Sequence, residues 1–171
     1  MKNRTLEIPV PPVVKAYFSH KSNLGTDAVI EKRHWLGRHI CSVVSYHPLD
    51  KADLPVEYTE KGLEKLTMLS VSVSFPLKIN QLTMHHYCQL GYVLESVFEL
   101  AVINYCKGRF AFSLNYTAAI DDFFRRYELD KVDYDKDNYR RFVNKKYGPI
   151  IEQEYKEALK NRDSLLEKVK K

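Results

Sequence analysis

The chain has 171 residues, 44% of them hydrophobic and 29% charged. That length suits a single domain, and that composition folds rather than staying disordered. Its 27 Lys and Arg against 22 Asp and Glu give a net charge of +5, which permits an acidic partner without requiring one; a collagen, a disulfide framework and a membrane span are excluded.

Thr5 to Pro9 reads as a short strand with Leu6 and Ile8 on one face. Pro11 and Pro12 then suit the first turn of a helix, where a missing N–H costs nothing, and Val13, Val14, Tyr17 and Phe18 follow at helical spacing. Residues 19–27 have a loop composition. A second helix is expected over roughly 28–46, with Ile30, Trp35, Leu36, Ile40 and Val43/Val44 inward. His47 to Tyr58, with two prolines and three acidic residues, reads as a loop. Residues 66–75, LTMLSVSVSF, alternate with period two and form the clearest strand, stopped by Pro76. Two strands predict one pairing, that of 66–75 with Thr5–Pro9, with a second subunit as a further source of strands.

Residues 80–106 contain no Lys or Arg and only Glu95 and Glu99. A long helix is expected over 81–106, ended by Gly108. Its wide apolar stripe suits the centre of a core or an oligomer interface, and Leu90, Leu94, Val97, Phe98 and Ala101 are the expected interface of a dimer or larger homo-oligomer. Gly148-Pro149 starts a last amphipathic helix with Ile151, Tyr155, Ala158/Leu159, Leu165/Leu166 and Val169 on one side. Glu152–Lys156 and Glu167–Lys171 are favourable pairs along it. The expected architecture is mainly α with a small two-stranded β element. It forms one domain, 1–171, made of an N-terminal region (1–79), a central helix plus helical pair (80–147) and the C-terminal helix (148–171).

Residues 113–147 carry the most specific pattern. Ser113 or Asn115 caps a first helix. Ala119 (or Ala118), Ile120, Phe123, Phe124 and Tyr127 form its inner face, and Asp121 and Asp122 lie in its early turns. Leu129 leads into an acidic connector. A second helix starts near Tyr134 or Asp135, with Tyr139, Phe142 and Val143 inside and Lys136, Arg140, Asn144 and Lys145 outside, Arg141 beside them. This stretch resembles the helix-turn-helix unit of DNA-binding proteins. The resemblance rests on Ala119, Ile120, Phe123, the Tyr127-x-Leu129 exit and the basic second helix, although the connector is longer than a three-residue turn. It implies a recognition helix in the major groove of duplex DNA. Arg140, Arg141, Asn144 and Lys145 would make contact, with Lys136, Arg125 and Arg126 supporting. The whole chain is also similar to small proteins of gut bacteria, their phages and mobile elements, through Ile8-Pro9-Val10-x-Pro12 and Ala119-Ile120-x-x-Phe123. The competing reading of 113–147 is an ordinary helical hairpin packing a core.

Other constellations point to less. Cys41, Cys88 and Cys106, odd in number and widely spaced, suit reduced thiols, and MKNRTLEIPVPP lacks the apolar run of a signal peptide, so a soluble cytoplasmic protein is expected. His34/His39/Cys41 and His85/His86/Cys88 are short clusters without the spacing of a zinc site; His85 and His86 instead suit a helix start and Cys88 a core. Asp133, Asp135 and Asp137 lack the glycine and glutamate of a calcium loop. Hydrolase and nucleotide-binding fingerprints are absent. Tyr87, Tyr92, Tyr105, Phe110 and Phe112 suit a core better than base stacking, with Arg109-Phe110-Ala111-Phe112 the one run that hints at the latter. No catalytic residue, cofactor or metal is assigned. The expected function is a non-enzymatic DNA-binding or regulatory protein of a phage or mobile element. The alternative is an oligomeric structural or protein-interaction module such as a phage assembly component.

Overall fold

The computed structural model describes residues 4–45, 54–59, 62–132 and 136–169, without the side chains of 80, 138 and 165–169. Residues 47–53 of the expected loop, Asp133 and Asp135 of the acidic run, and the Glu167–Lys171 pair lie outside this description. The fold is mainly α with a small β element, with six α-helices and three strands among the described residues. It comprises two compact units, residues 1–98 with 127–132 and residues 99–126 with 133–171.

In the first unit, β1 (Arg4–Val10) pairs antiparallel with β3 (Thr67–Val73), Leu6 opposite Val71 and Ile8 opposite Leu69. Period-two alternation sets this register. Leu6, Ile8, Val10, Leu69, Val71 and Val73 are all buried, whereas the Ser70 hydroxyl on the other face donates to the Glu7 carboxylate at 2.8 Å. The expected pairing is therefore present, but the sheet has a third strand. β2 (Val29–Ile30) runs parallel to β3 and gives the order β1-β3-β2. Two residues are too short to show a period, and they fall where the sequence predicted helix. The second helix accordingly starts later, as α2 (Trp35–Ser45). A Cβ at Gly37 would collide with the Glu31 carbonyl, so the turn before α2 depends on that glycine.

Pro12 is the first residue of α1 (Pro12–Ser19), which buries Val13, Val14, Tyr17 and Phe18. The loop after it is tied back to the helix: the Asn23 amide donates to the Tyr17 carbonyl at 2.6 Å, and the Leu24 and Gly25 N–H groups to that of Phe18 at 3.1 Å. Tyr17 packs edge-on against Phe98 and Tyr127, with centroids 5.2 and 4.8 Å away, and burial pushes its hydroxyl up to about 12.

The long helix is α3 (Met84–Ser113), longer than expected at its C-terminal end. Its first part buries Leu90, Leu94 and Phe98 in the first unit. Gly91 lets α3 approach β1, because a Cβ there would collide with the Pro9 carbonyl oxygen and the Tyr58 ring. Gly108 does not end the helix. Leu114 does, with a left-handed φ of 51° and its N–H returned to the Phe110 carbonyl at 2.9 Å. Glycine costs an α-helix about 1 kcal/mol relative to alanine, and the burial of Cys106 and Phe110 on either side of it outweighs that.

The second unit contains the rest of α3 with α4 (Tyr116–Arg126), α5 (Lys136–Lys146) and α6 (Gly148–Val169). Asn115, rather than Ser113, caps α4, its side-chain oxygen accepting the Ala118 N–H at 3.1 Å. Ala119, Ile120, Phe123 and Phe124 are buried as their spacing predicts. Phe110 stacks on Tyr116 at 4.5 Å, and the Tyr116 hydroxyl donates to the Gly148 carbonyl at 2.9 Å, at the predicted start of α6. Burial of Tyr116, with the Glu152 charge beside it, pushes that hydroxyl up to about 12.

Candidate nucleic-acid interface

Two short helices, α4 and α5, carry the seven cations and polar residues singled out for DNA contact. α5 packs through Tyr139 and Val143, which are buried. Phe142, expected inside, is 37% exposed; it packs on Tyr139 and Tyr147, with Lys146 4.9 Å above its ring. The connection between the helices departs from a short turn. Tyr127–Val132 belongs to the first unit, Glu128 there has a left-handed φ of 55°, and a 3-10 turn spans Leu129–Lys131.

The candidate residues divide into two groups. Lys136 and Arg140 face inward along the unit, toward Asp121. The Lys136 ammonium lies 3.0 Å from the Asp121 carboxylate, and Arg140 pairs with Asp121 and, at 2.6 Å, with Asp137. The Arg140 side chain is only 26% exposed. Burial would raise the Asp121 pKa, but hydrogen bonds and charge from Arg140 and Lys136 outweigh it and hold the carboxyl below the usual range. The same pairing raises Arg140. These two cations therefore do internal structural work, and a phosphate would have to compete with Asp121 for them.

Arg141, Asn144 and Lys145 form the second group. At spacings of three and four they share one helix face, and all three are exposed. Arg125 and Arg126 are exposed at the end of α4, with Arg126 also hydrogen-bonded to Tyr105. Asp122 is already engaged: the Tyr105 hydroxyl donates to it at 2.6 Å and Arg109 pairs with it at 2.8 Å. Tyr105, Arg109 and Arg125 hold its carboxyl low. Asp121 and Asp122 thus point to different partners, and both are neutralised by cations of their own unit. Of the aromatic run, Phe110 is buried while Phe112 is 86% exposed.

The expected oligomer interface is corrected in part. Leu90, Leu94 and Phe98 are at most 2% exposed; the chain's own core encloses them and no partner can reach them. Val97 and Ala101 are partly exposed. The histidines act locally. The His34 Nδ1 accepts the Leu36 N–H at 3.2 Å and so caps α2. The His86 Nδ1 accepts the Thr83 N–H at 3.1 Å at the start of α3, the reach-back half of a capping box with histidine in place of glutamate. Cys88 is buried against Leu54 and Tyr58, and burial raises its thiol above the ordinary range; burial pushes the Cys106 thiol up to about 12. Among the described residues, no group of three or more His, Cys, Asp or Glu converges as a metal site, and no helix is long and apolar enough to cross a membrane. Sequence spacing missed the Asp121–Arg140 pair, because 19 residues separate its members. No protein-family model, curated protein or solved structure matches the chain.

Proposed function

We propose that the protein is a non-enzymatic DNA-binding or regulatory protein that meets duplex through the outer face of α5. The observation that carries this reading is the exposure of Arg141, Asn144 and Lys145 on one helix face. Arg125 adds a cation at the end of α4. Arginine and asparagine are the side chains best suited to base edges, and lysine to phosphate. The phage or mobile-element setting comes only with the motifs at Ile8-Pro9-Val10 and Ala119-Ile120. Anisotropy of a labelled duplex at low salt tests the proposal. Arg141→Glu with Lys145→Glu should weaken binding at least about tenfold, and undiminished binding by that variant would remove it.

A second reading, an interaction module that pairs with another copy of the chain, is favoured by α6. Residues 160–164 are exposed throughout. Charge divides along the sequence: residues 148–158 hold three acidic groups and one basic, residues 159–171 five basic and two acidic. Two such helices laid antiparallel would set opposite charges together. Light scattering separates the readings: a dimer that dissociates when Lys160→Glu and Arg162→Glu are combined supports pairing, and a monomer at every concentration removes it.

A further inference from the structure

The α5 reading uses nothing from the first unit, yet that unit contains a hollow with chemistry of its own. Its volume is about 220 Å³, between the end of α1, the loop after it and the start of α2. Tyr17, Phe18 and Trp35 give it aromatic walls, with Val97 closing one side. Phe18 and Trp35 lie 6.3 Å apart between centroids, and Trp35 is still 36% exposed. Drug-sized ligands occupy sites of roughly 300–1,000 Å³; this hollow suits a single flat ring system.

Two polar side chains share the lining, Asn23 and His34, and the fold fixes how each presents itself. One N–H of the Asn23 amide donates to the Tyr17 carbonyl, which orients the side chain and leaves its Oδ1 to accept. The His34 Nδ1 accepts the Leu36 N–H, so in the neutral ring the proton sits on Nε2, which is left to donate. The hollow therefore combines aromatic faces, one acceptor and one donor. Nucleobases carry the complementary set, a π face with a donor and an acceptor side by side on one edge.

We infer that this hollow binds a nucleobase, stacked against Trp35 and hydrogen-bonded to the Asn23 Oδ1 and the His34 Nε2–H. The site is independent of α5, and free nucleosides test it without duplex. The chain has one tryptophan, so indole fluorescence reports on this hollow alone. Adenosine, cytidine and uridine should each be titrated against the intact chain, with benzyl alcohol as a ring that lacks the paired donor and acceptor. The expected result is a saturable change with at least one nucleoside and none with benzyl alcohol. His34→Asn keeps a side chain able to cap α2 and removes the Nε2–H; it should weaken that nucleoside about tenfold while leaving the melting temperature within a few degrees. Leu24→Phe, which fills the hollow from its loop side, should abolish the change. A merely linear, collisional response to all three nucleosides would overturn the inference. So would equal binding of benzyl alcohol, or unaltered affinity in His34→Asn.

Discussion

Asp121 and Asp122 are neighbours in sequence with different tasks. Asp121 draws in Arg140 and Lys136, and Asp122 draws in Tyr105 and Arg109. The charge-assisted hydrogen bonds of the partly buried Asp121 contribute about 1–2 kcal/mol. Asp121→Asn should therefore lower the unfolding free energy by about that amount in a urea titration. The sign of the pH effect follows from the depressed carboxyl. Its stabilisation is complete above the ordinary value of 3.8 and is lost as the pH falls through the lower folded-state value. The stability gap between wild type and Asp121→Asn should close on acidification below 3.8 and stay constant near neutrality. Histidine also has a structural role here. Because the His34 Nδ1 caps α2, His34→Ala should cost about 1 kcal/mol by thermal melting, and His34→Asn should recover most of it.

At the level of elements, two glycines of α3 give opposite expectations. Gly91 sits where the backbone of β1 passes and Gly108 faces open space. Gly91→Ala should destabilise by at least about 2 kcal/mol, since backbone cannot yield as a flexible side chain can. Gly108→Ala should stabilise by about 0.5–1 kcal/mol; one denaturant series on the two variants checks both. The same helix shows what the sequence could convey. The stripe of Leu90, Leu94 and Phe98 was visible as a period, and its burial is real. What period cannot tell is whose core it enters, so an interface was expected where the chain packs on itself. The antiparallel β1–β3 pair was legible because alternation fixes both strands and register. β2 was not, because two residues carry no pattern. In the helical pair, the buried faces of α4 and the role of Tyr139 and Val143 were legible. The split of the cations into a paired group and an exposed group was not, since it depends on Asp121 lying beside α5 in space.

For the whole molecule, the net charge of +5 does not tell which of the α4 and α5 cations are open to a phosphate. Of the cations singled out for DNA, the pairing of Lys136 and Arg140 leaves Arg141 and Lys145 on α5 and Arg125 on α4 as exposed candidates for phosphate, with Arg126 also exposed but hydrogen-bonded to Tyr105. Three phosphate contacts per copy predict a modest salt dependence, with log K falling against log salt at a slope of about −3. The six to ten contacts of a tight binder would need more than one copy. Asp121→Asn, which removes the carboxylate shared by Arg140 and Lys136, should leave that slope unchanged or steepen it, whereas variants at Arg141 and Lys145 should flatten it. The salt slope of duplex binding for Arg141→Ala with Lys145→Ala, set beside wild type, is the most direct test of the exposed α5 face. A slope shallower by about 2, with weaker binding on every duplex, is the predicted result; an identical slope and affinity would contradict the account.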